Sequence, residues 1–97
     1  MKSDKKGFAM PLSQHVVLGV HITDRVHHVR LVQDVLTEYG CSIRTRLGLH
    51  EADRGFCSPN GLIILEMNDD IEAAEELANK LNAIEGVEVQ KMVFSHP

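Results

Sequence analysis

The chain has no excess of basic residues, no set of paired cysteines and no long apolar run, and each absence narrows its class. Lys and Arg number 10 against 14 Asp and Glu, a formal net charge of −4. A domain that grips a phosphate backbone unaided usually shows a basic face, so direct nucleic-acid binding is not expected. Lys2, Lys5 and Lys6 form a short basic stretch that reads as a solvated terminus. The two cysteines, Cys41 and Cys57, are too few for a disulfide scaffold or a four-cysteine zinc site. No stretch approaches the roughly 18 apolar residues of a membrane-spanning helix. Residues 1–10 also lack the apolar segment of a secretory signal. The expectation is a cytoplasmic protein with no membrane partner. Gly-rich phosphate loops and metalloprotease signatures are missing too. No nucleophile–base–acid set can be assembled from spacing, and the chain reads as non-catalytic.

What is present suits one domain with a single modest core: 97 residues, 43% hydrophobic and 25% charged. Residues 1–13 are charged, contain glycine and include Pro11, and read as a flexible tail; residues 14–97 form the domain. From His15 to Ile22 apolar residues alternate, with Val16, Leu18, Val20 and Ile22 on one side. A period of two is a half-buried strand. Thr23 and Asp24 offer N-cap oxygens, and Val26, Val29, Val32, Leu36 and Tyr39 recur at helical spacing up to Gly40. A second strand spans Cys41 to His50, its Cys41, Ile43, Thr45, Leu47 and Leu49 pointing one way and Arg44, Arg46, Gly48 and His50 the other. The connection Glu51 to Asn60 is long, and long loops in compact domains are often functional or mobile. Gly61 to Met67 is a nearly continuous apolar run, as expected of a central strand. Asn68, Asp69 and Asp70 cap a second helix over 71–84, Gly86 ends it, and a last strand runs from Val87 to Phe94.

The halves repeat: Val20 to Asp24 is echoed by Leu65 to Asp69, and Leu36 by Leu81, each 45 residues apart. A duplicated βαβ unit predicts an α+β, ferredoxin-like (ACT-like) βαββαβ sandwich, with two helices on one face of a four-stranded antiparallel sheet. Strands one and three take the middle, four and two the edges. The helices should cover Val16, Leu18, Val20, Ile22, Ile43, Leu47, Leu49, Ile63, Leu65, Val87 and Val89. Cys41, on that side, should pack as a small apolar residue.

The other face then carries Val17, Gly19, Leu62, Ile64, Met92 and Phe94, an apolar patch that monomers seldom leave wet. Self-association as a homodimer or tetramer would bury it. His15, His21, Arg44, Arg46, His50, Glu66, Glu88 and Gln90 ring the patch. Arg46 could hold an anion with both guanidinium nitrogens, and Gly48 would let a ligand approach closely.

The chain from about His15 to Phe94 resembles the proposed regulators of the iron-only hydrogenase system, small bacterial proteins with an ACT-like ferredoxin fold. The turn Ile22 to Arg25 is similar to that family's valine-glutamate-aspartate-arginine turn. Leu36 to Gly40, Arg46 to Gly48, and Ile84 to Lys91, near the family's glycine-valine-x-valine-lysine ending, also match. The resemblance implies a small-ligand-sensing regulatory domain, with Thr23, Asp24, Arg44, Arg46 and Gly48 as ligand-binding residues and a small molecule or metal as effector. Which cofactor it would take is not readable. A more distant resemblance, to the C-terminal domain of nickel-responsive repressors, rests on His50 and Cys57; their motif is His-x-His followed by Cys, and position 48 here is Gly. It implies an alternative, a metal-responsive module using His21, His50 and Cys57, a donor set suited to nickel, zinc or copper. A third alternative is a small enzyme with an inter-subunit cavity.

Overall fold

A computed structural model of the chain describes the backbone of residues 13–23, 25–49, 52–53, 56–57 and 61–96, and the side chains of residues 14–23, 28–48 and 61–95. Of the residues read as a tail, 1–13, the first twelve lie outside this description, as does Asp24, and Ser13 begins the first strand. Strand β1 (Ser13–Ile22) leads into helix α1 (Arg25–Glu38), and a single 3₁₀ turn, Gly40–Ser42, precedes β2 (Ile43–Leu49). Two short strands, β3 (Ala52–Asp53) and β4 (Phe56–Cys57), pair with each other. Then come β5 (Gly61–Met67), α2 (Ile71–Asn82) and β6 (Val87–His96). The main sheet has the order β2-β5-β1-β6, all antiparallel. This is the expected ferredoxin-like order, with β1 and β5 in the middle. The connection expected to be a long irregular loop instead contains the β3–β4 ladder.

Both helices pack on one side of the sheet. Val16, Leu18, Val20 and Ile22 of β1, Ile63, Leu65 and Met67 of β5, and Val87 of β6 are buried there. Val32 and Leu36 of α1 and Ala74, Leu77, Ala78 and Leu81 of α2 meet them. Fully burying a Leu or Val side chain contributes about 1.5–3 kcal/mol, which makes this layer the main source of stability. Tyr39 Oη donating to Glu76 at 3.2 Å and Lys80 pairing with Glu38 at 2.7 Å join the helices at their exposed edge. Such surface pairs add little beside the core. Among the described residues no helix is long and apolar enough to cross a membrane.

The cap expected at the start of α2 forms. Asp70 Oδ1 accepts the Ala73 N–H at 3.0 Å, and Asn68 Oδ1 accepts the Asp70 N–H at 2.9 Å, so side-chain oxygens satisfy donors at the start of α2. After α2 the chain turns at Gly86, whose φ of +83° favours glycine. The Gly86 carbonyl accepts the Thr23 N–H at 2.7 Å, and the Thr23 carbonyl accepts the His28 Nδ1–H at 2.7 Å. The α2–β6 turn is thereby tied to the junction of β1 and α1.

The second strand departs from its expected pattern. It begins at Ile43, because Gly40–Ser42 is a 3₁₀ turn, and this turn leaves Cys41 exposed and not in the core. Asn68 fastens the turn, donating its Nδ2 to the Cys41 carbonyl and its backbone N–H to Ser42. A register shift then separates Ile43, opposite Met67, from Thr45, opposite Glu66. One extra residue in an edge strand is a β-bulge, and it exchanges the faces of every residue beyond it. Ile43 keeps its contact with the core, but Leu47, expected to be covered, is 53% exposed opposite Ile64. Position 49 lies opposite Leu62, also on the uncovered side of the register.

A Cβ at Gly86 would lie 2.6 Å from His28 Cε1, 2.8 Å from His28 Nδ1 and 3.2 Å from the Thr23 carbonyl, in addition to the positive φ. Gly86→Ala is expected to cost about 1–2 kcal/mol from the backbone alone, more with the clash. In urea unfolding, part of that loss should return in the Gly86→Ala/His28→Ala double variant; strictly additive losses would contradict the contact.

Candidate functional site

The face that no helix covers follows from strand alternation and the observed register. β1 contributes His15, Val17, Gly19 and His21; β5 contributes Leu62, Ile64 and Glu66; β6 contributes Glu88, Gln90, Met92 and Phe94. Beyond its bulge, β2 adds Thr45 and Leu47. The six residues expected to form an apolar patch therefore share one face, and Leu47 enlarges it. Leu47, Met92 and Phe94 are about half exposed, while Val17, Leu62 and Ile64 are partly covered by their neighbours.

At one end of the patch Glu66 organises a polar cluster. Its Oε1 accepts the Thr45 hydroxyl at 2.8 Å, and its Oε2 lies 2.8 Å from His15 Nε2 and 3.8 Å from an Arg44 guanidinium nitrogen. Nε2 faces a carboxylate, which can only accept, and so donates to it. The His15 ring also stands 6.4 Å from that of Phe94, at 52°. The Glu66 carboxyl is held below its ordinary value by the Thr45 hydroxyl first and His15 second, with Arg44 adding attraction and partial desolvation acting the other way. At the other end, a shallow depression of about 340 Å³ is lined by Gly19, His21, Leu62, Glu88 and Gln90. Gly19 puts no side chain into it, and Gln90 Nε2 donates to Glu88 at 3.1 Å.

The residues singled out for ligand binding are not brought together. Arg44 is on the uncovered face. Arg46 is not: it stands opposite Leu65 and donates to Gln33 of α1 at 2.7 Å, on the helix side. Gly48, opposite Ile63, follows it there. The bulge is the cause of both corrections. Thr23 lies at the far end of β1, engaged with the Gly86 turn. Of the metal set, His21 is exposed on the open face, His50 lies outside the described residues, and Cys57 is placed only as a backbone position in β4. Among the described residues no three His, Cys, Asp or Glu side chains converge on a common point. Sequence alternation placed Thr45 in the core and treated Glu66 as rim, and so missed this cluster. The available signal is the run Arg44, Thr45, Arg46, three polar residues in succession where alternation requires an apolar one.

These features define a ferredoxin-like α+β domain with an uncovered sheet face, apolar in the middle and polar at both ends. Known structures share the architecture. An uncharacterized protein from Thermotoga maritima superposes with a TM-score of 0.69 at 24% identity, covering 87% of this chain and 99% of the other. CPII from Thiomonas intermedia K12, a nitrogen regulatory PII-like protein bound to ADP, AMP and bicarbonate, gives 0.51 at 17% identity over 90% and 99%. A candidate PII-like signalling protein from Thermus thermophilus gives 0.57 at 8% identity over 89% and 92%. No protein-family model and no curated protein sequence matches the chain. At these identities the likeness is one of fold.

A carboxyl whose pKa is lower folded than unfolded binds fewer protons when folded. Its stabilisation is complete above the unfolded value and is lost as pH falls through the folded one. Glu66 is expected to contribute such an acid-side loss, and Glu66→Gln should flatten the slope of urea-unfolding stability against pH below the ordinary carboxylate range. In NMR titrations of the Glu66 carboxyl carbon, Thr45→Val and His15→Ala should move the midpoint up. Arg46→Ala, across the sheet, should leave it unmoved; an equal shift there would contradict the bulge.

Proposed function

We propose that the chain is a non-catalytic regulatory domain that senses a small ligand and self-associates through its uncovered sheet face. The carrying observation is the composition of that face: seven neighbouring apolar positions, counting Gly19, bounded by His15, Arg44 and Glu66 at one end and by His21, Glu88 and Gln90 at the other. An apolar area of this kind on an isolated domain marks an interaction surface. Two supports come from outside the chain. The fold is shared with a PII-like protein whose structure contains ADP, AMP and bicarbonate, and the turn and strand-end motifs resemble the proposed regulators of the iron-only hydrogenase system. Arg44 belongs to both the expected ligand set and the open face, so an anion held by Arg44 would link ligand occupancy to self-association. Fold alone would not carry this reading, because one fold hosts many functions.

Sedimentation velocity at micromolar concentration should show a dimer or tetramer; a monomer there would sink the self-association half of the proposal. Thermal-shift measurements with ADP, AMP, bicarbonate, amino acids and organic acids test the other half. A ligand at a hundredfold excess over its Kd adds about 2.7 kcal/mol, which raises Tm by roughly 10 °C or more in a domain of this size. An unchanged Tm across all these classes would contradict ligand sensing.

A further inference from the structure

The two edges of the main sheet are not alike. β2 carries a bulge together with Arg44 and Arg46, features that discourage pairing with another strand. β6, the other edge, pairs with β1 in unbroken register from Val87 to His96 and contains no proline. Within it Met92, Val93 and Phe94 follow one another and are 52%, 47% and 53% exposed. Met92 and Phe94 belong to the open face, but Val93, opposite the buried Val16, lies on the helix side. A run that is apolar on both sides suits a strand inside a sheet and not one at its edge.

The backbone of β6 divides at the same place. In an antiparallel ladder the N–H and C=O groups of alternate residues turn to opposite neighbours. Val87 donates its N–H to the Ile84 carbonyl at 3.1 Å, and Val89 donates to Asn82 Oδ1 at 3.2 Å, so the odd-numbered residues turn away from β1. The first two outward N–H groups are thus capped by the preceding turn and the end of α2. Among the described residues nothing accepts those of Lys91, Val93 and Ser95. The Lys91 ammonium, which could guard this edge, is drawn toward α2 by Glu75.

We infer that this open half of β6 pairs antiparallel with the same stretch of a second copy of the chain, across a two-fold axis at Val93. The contact adds to the self-association proposed above and does not require the open face. One register satisfies the edge. With Val93 opposite Val93 and Lys91 opposite Ser95, all the outward N–H groups left open in each copy meet a partner carbonyl. Met92 then stands opposite Phe94 on the open side, and the two Val93 side chains adjoin on the helix side, apolar against apolar in both layers. Centring on Met92 would set Ser95 against Val89, whose N–H is already given to Asn82. Centring on Phe94 would set Lys91 against position 97, a proline without an N–H. Centring on Lys91 would oppose two like charges. The isologous pair uses the β6 edge of both copies and closes. Its axis runs perpendicular to the sheet, so both open faces stay on one side, free to meet a further pair.

The test is amide hydrogen exchange by NMR over a range of protein concentrations, with sedimentation equilibrium alongside. Lys91, Val93 and Ser95 should exchange at least tenfold more slowly once the protein associates, and fast when it is dilute. Val89, held by Asn82, should not change. Val93→Pro costs no bond to β1, because the Val93 N–H turns outward. It should weaken association tenfold or more and restore fast exchange at Lys91 and Ser95. Val93→Lys, which sets two ammonium groups at the axis, should do the same and carries the test if the proline variant unfolds. Leu47→Glu, on the open face and away from β6, should leave the protection intact. Fast exchange of the three amides in an associated wild type overturns the edge pairing while the open-face reading stands. Protection that persists on dilution, or in both Val93 variants, also overturns it, because the chain itself then covers the edge. A monomeric wild type overturns both.

Discussion

The packing of α1 and α2 onto a single side of β1 and β5 governs the rest of the molecule. Leu18, Val20 and Leu65 have no exposure beneath Val32, Leu36, Leu77 and Leu81, and this one layer of contacts holds the buried core of the described residues. Two helices joined by short connections to alternate strands can cover one face of a four-stranded sheet. The opposite face is then held in place from behind, by a rigid core and by the ladder hydrogen bonds of its own strands. It can present whatever side chains the alternation supplies, without a role in folding the domain. That division makes the open face a surface free to serve binding.

A second, smaller constraint refines that face. The bulge between Ile43 and Thr45 lies in the edge strand β2, where an extra residue disturbs only one ladder. Its consequences are chemical. Arg44 and Thr45 both reach Glu66, and a carboxylate that would otherwise sit in a mainly apolar face is satisfied by a hydroxyl, an imidazole and a nearby guanidinium. Arg46, one residue further on, is carried to the helix side and bonds Gln33. Two arginines close in sequence thus do unrelated work, one in the polar end of the face and one in fastening α1 to the sheet edge.

The fold is a weak guide to role, and the face is a better one. Chains that share this architecture do so at identities of 8–24%, since a core need only keep the period and volume of its apolar residues. The uncovered side of this chain carries a depression lined by Gly19, half-exposed Met92 and Phe94, and a charged cluster at one end. They bear on the proposed partner and ligand more directly than topology does.

Local signals determined the order of the four strands of the main sheet and the two helices. Alternation marked β1 and β6, helical spacing and the Asp70 cap marked α2, glycine marked the turn at Gly86, and the 45-residue repeat predicted two interleaved βαβ units. Apart from the repeat, each of those signals acts within a few residues, and no neighbour opposed it. The apolar patch was legible for the same reason, since Val17, Leu62, Ile64, Met92 and Phe94 lie on regular stretches whose sides can be counted. The tertiary structure decided the side of every residue in β2 past Ile43. Pairing with β5 sets that register, and strict alternation cannot anticipate an extra residue in one partner of a ladder. Glu66 with Thr45, His15 and Arg44 became a cluster only through that pairing, because its members come from three strands. Side chains far apart in sequence acquire a common environment only when the sheet that joins them has formed.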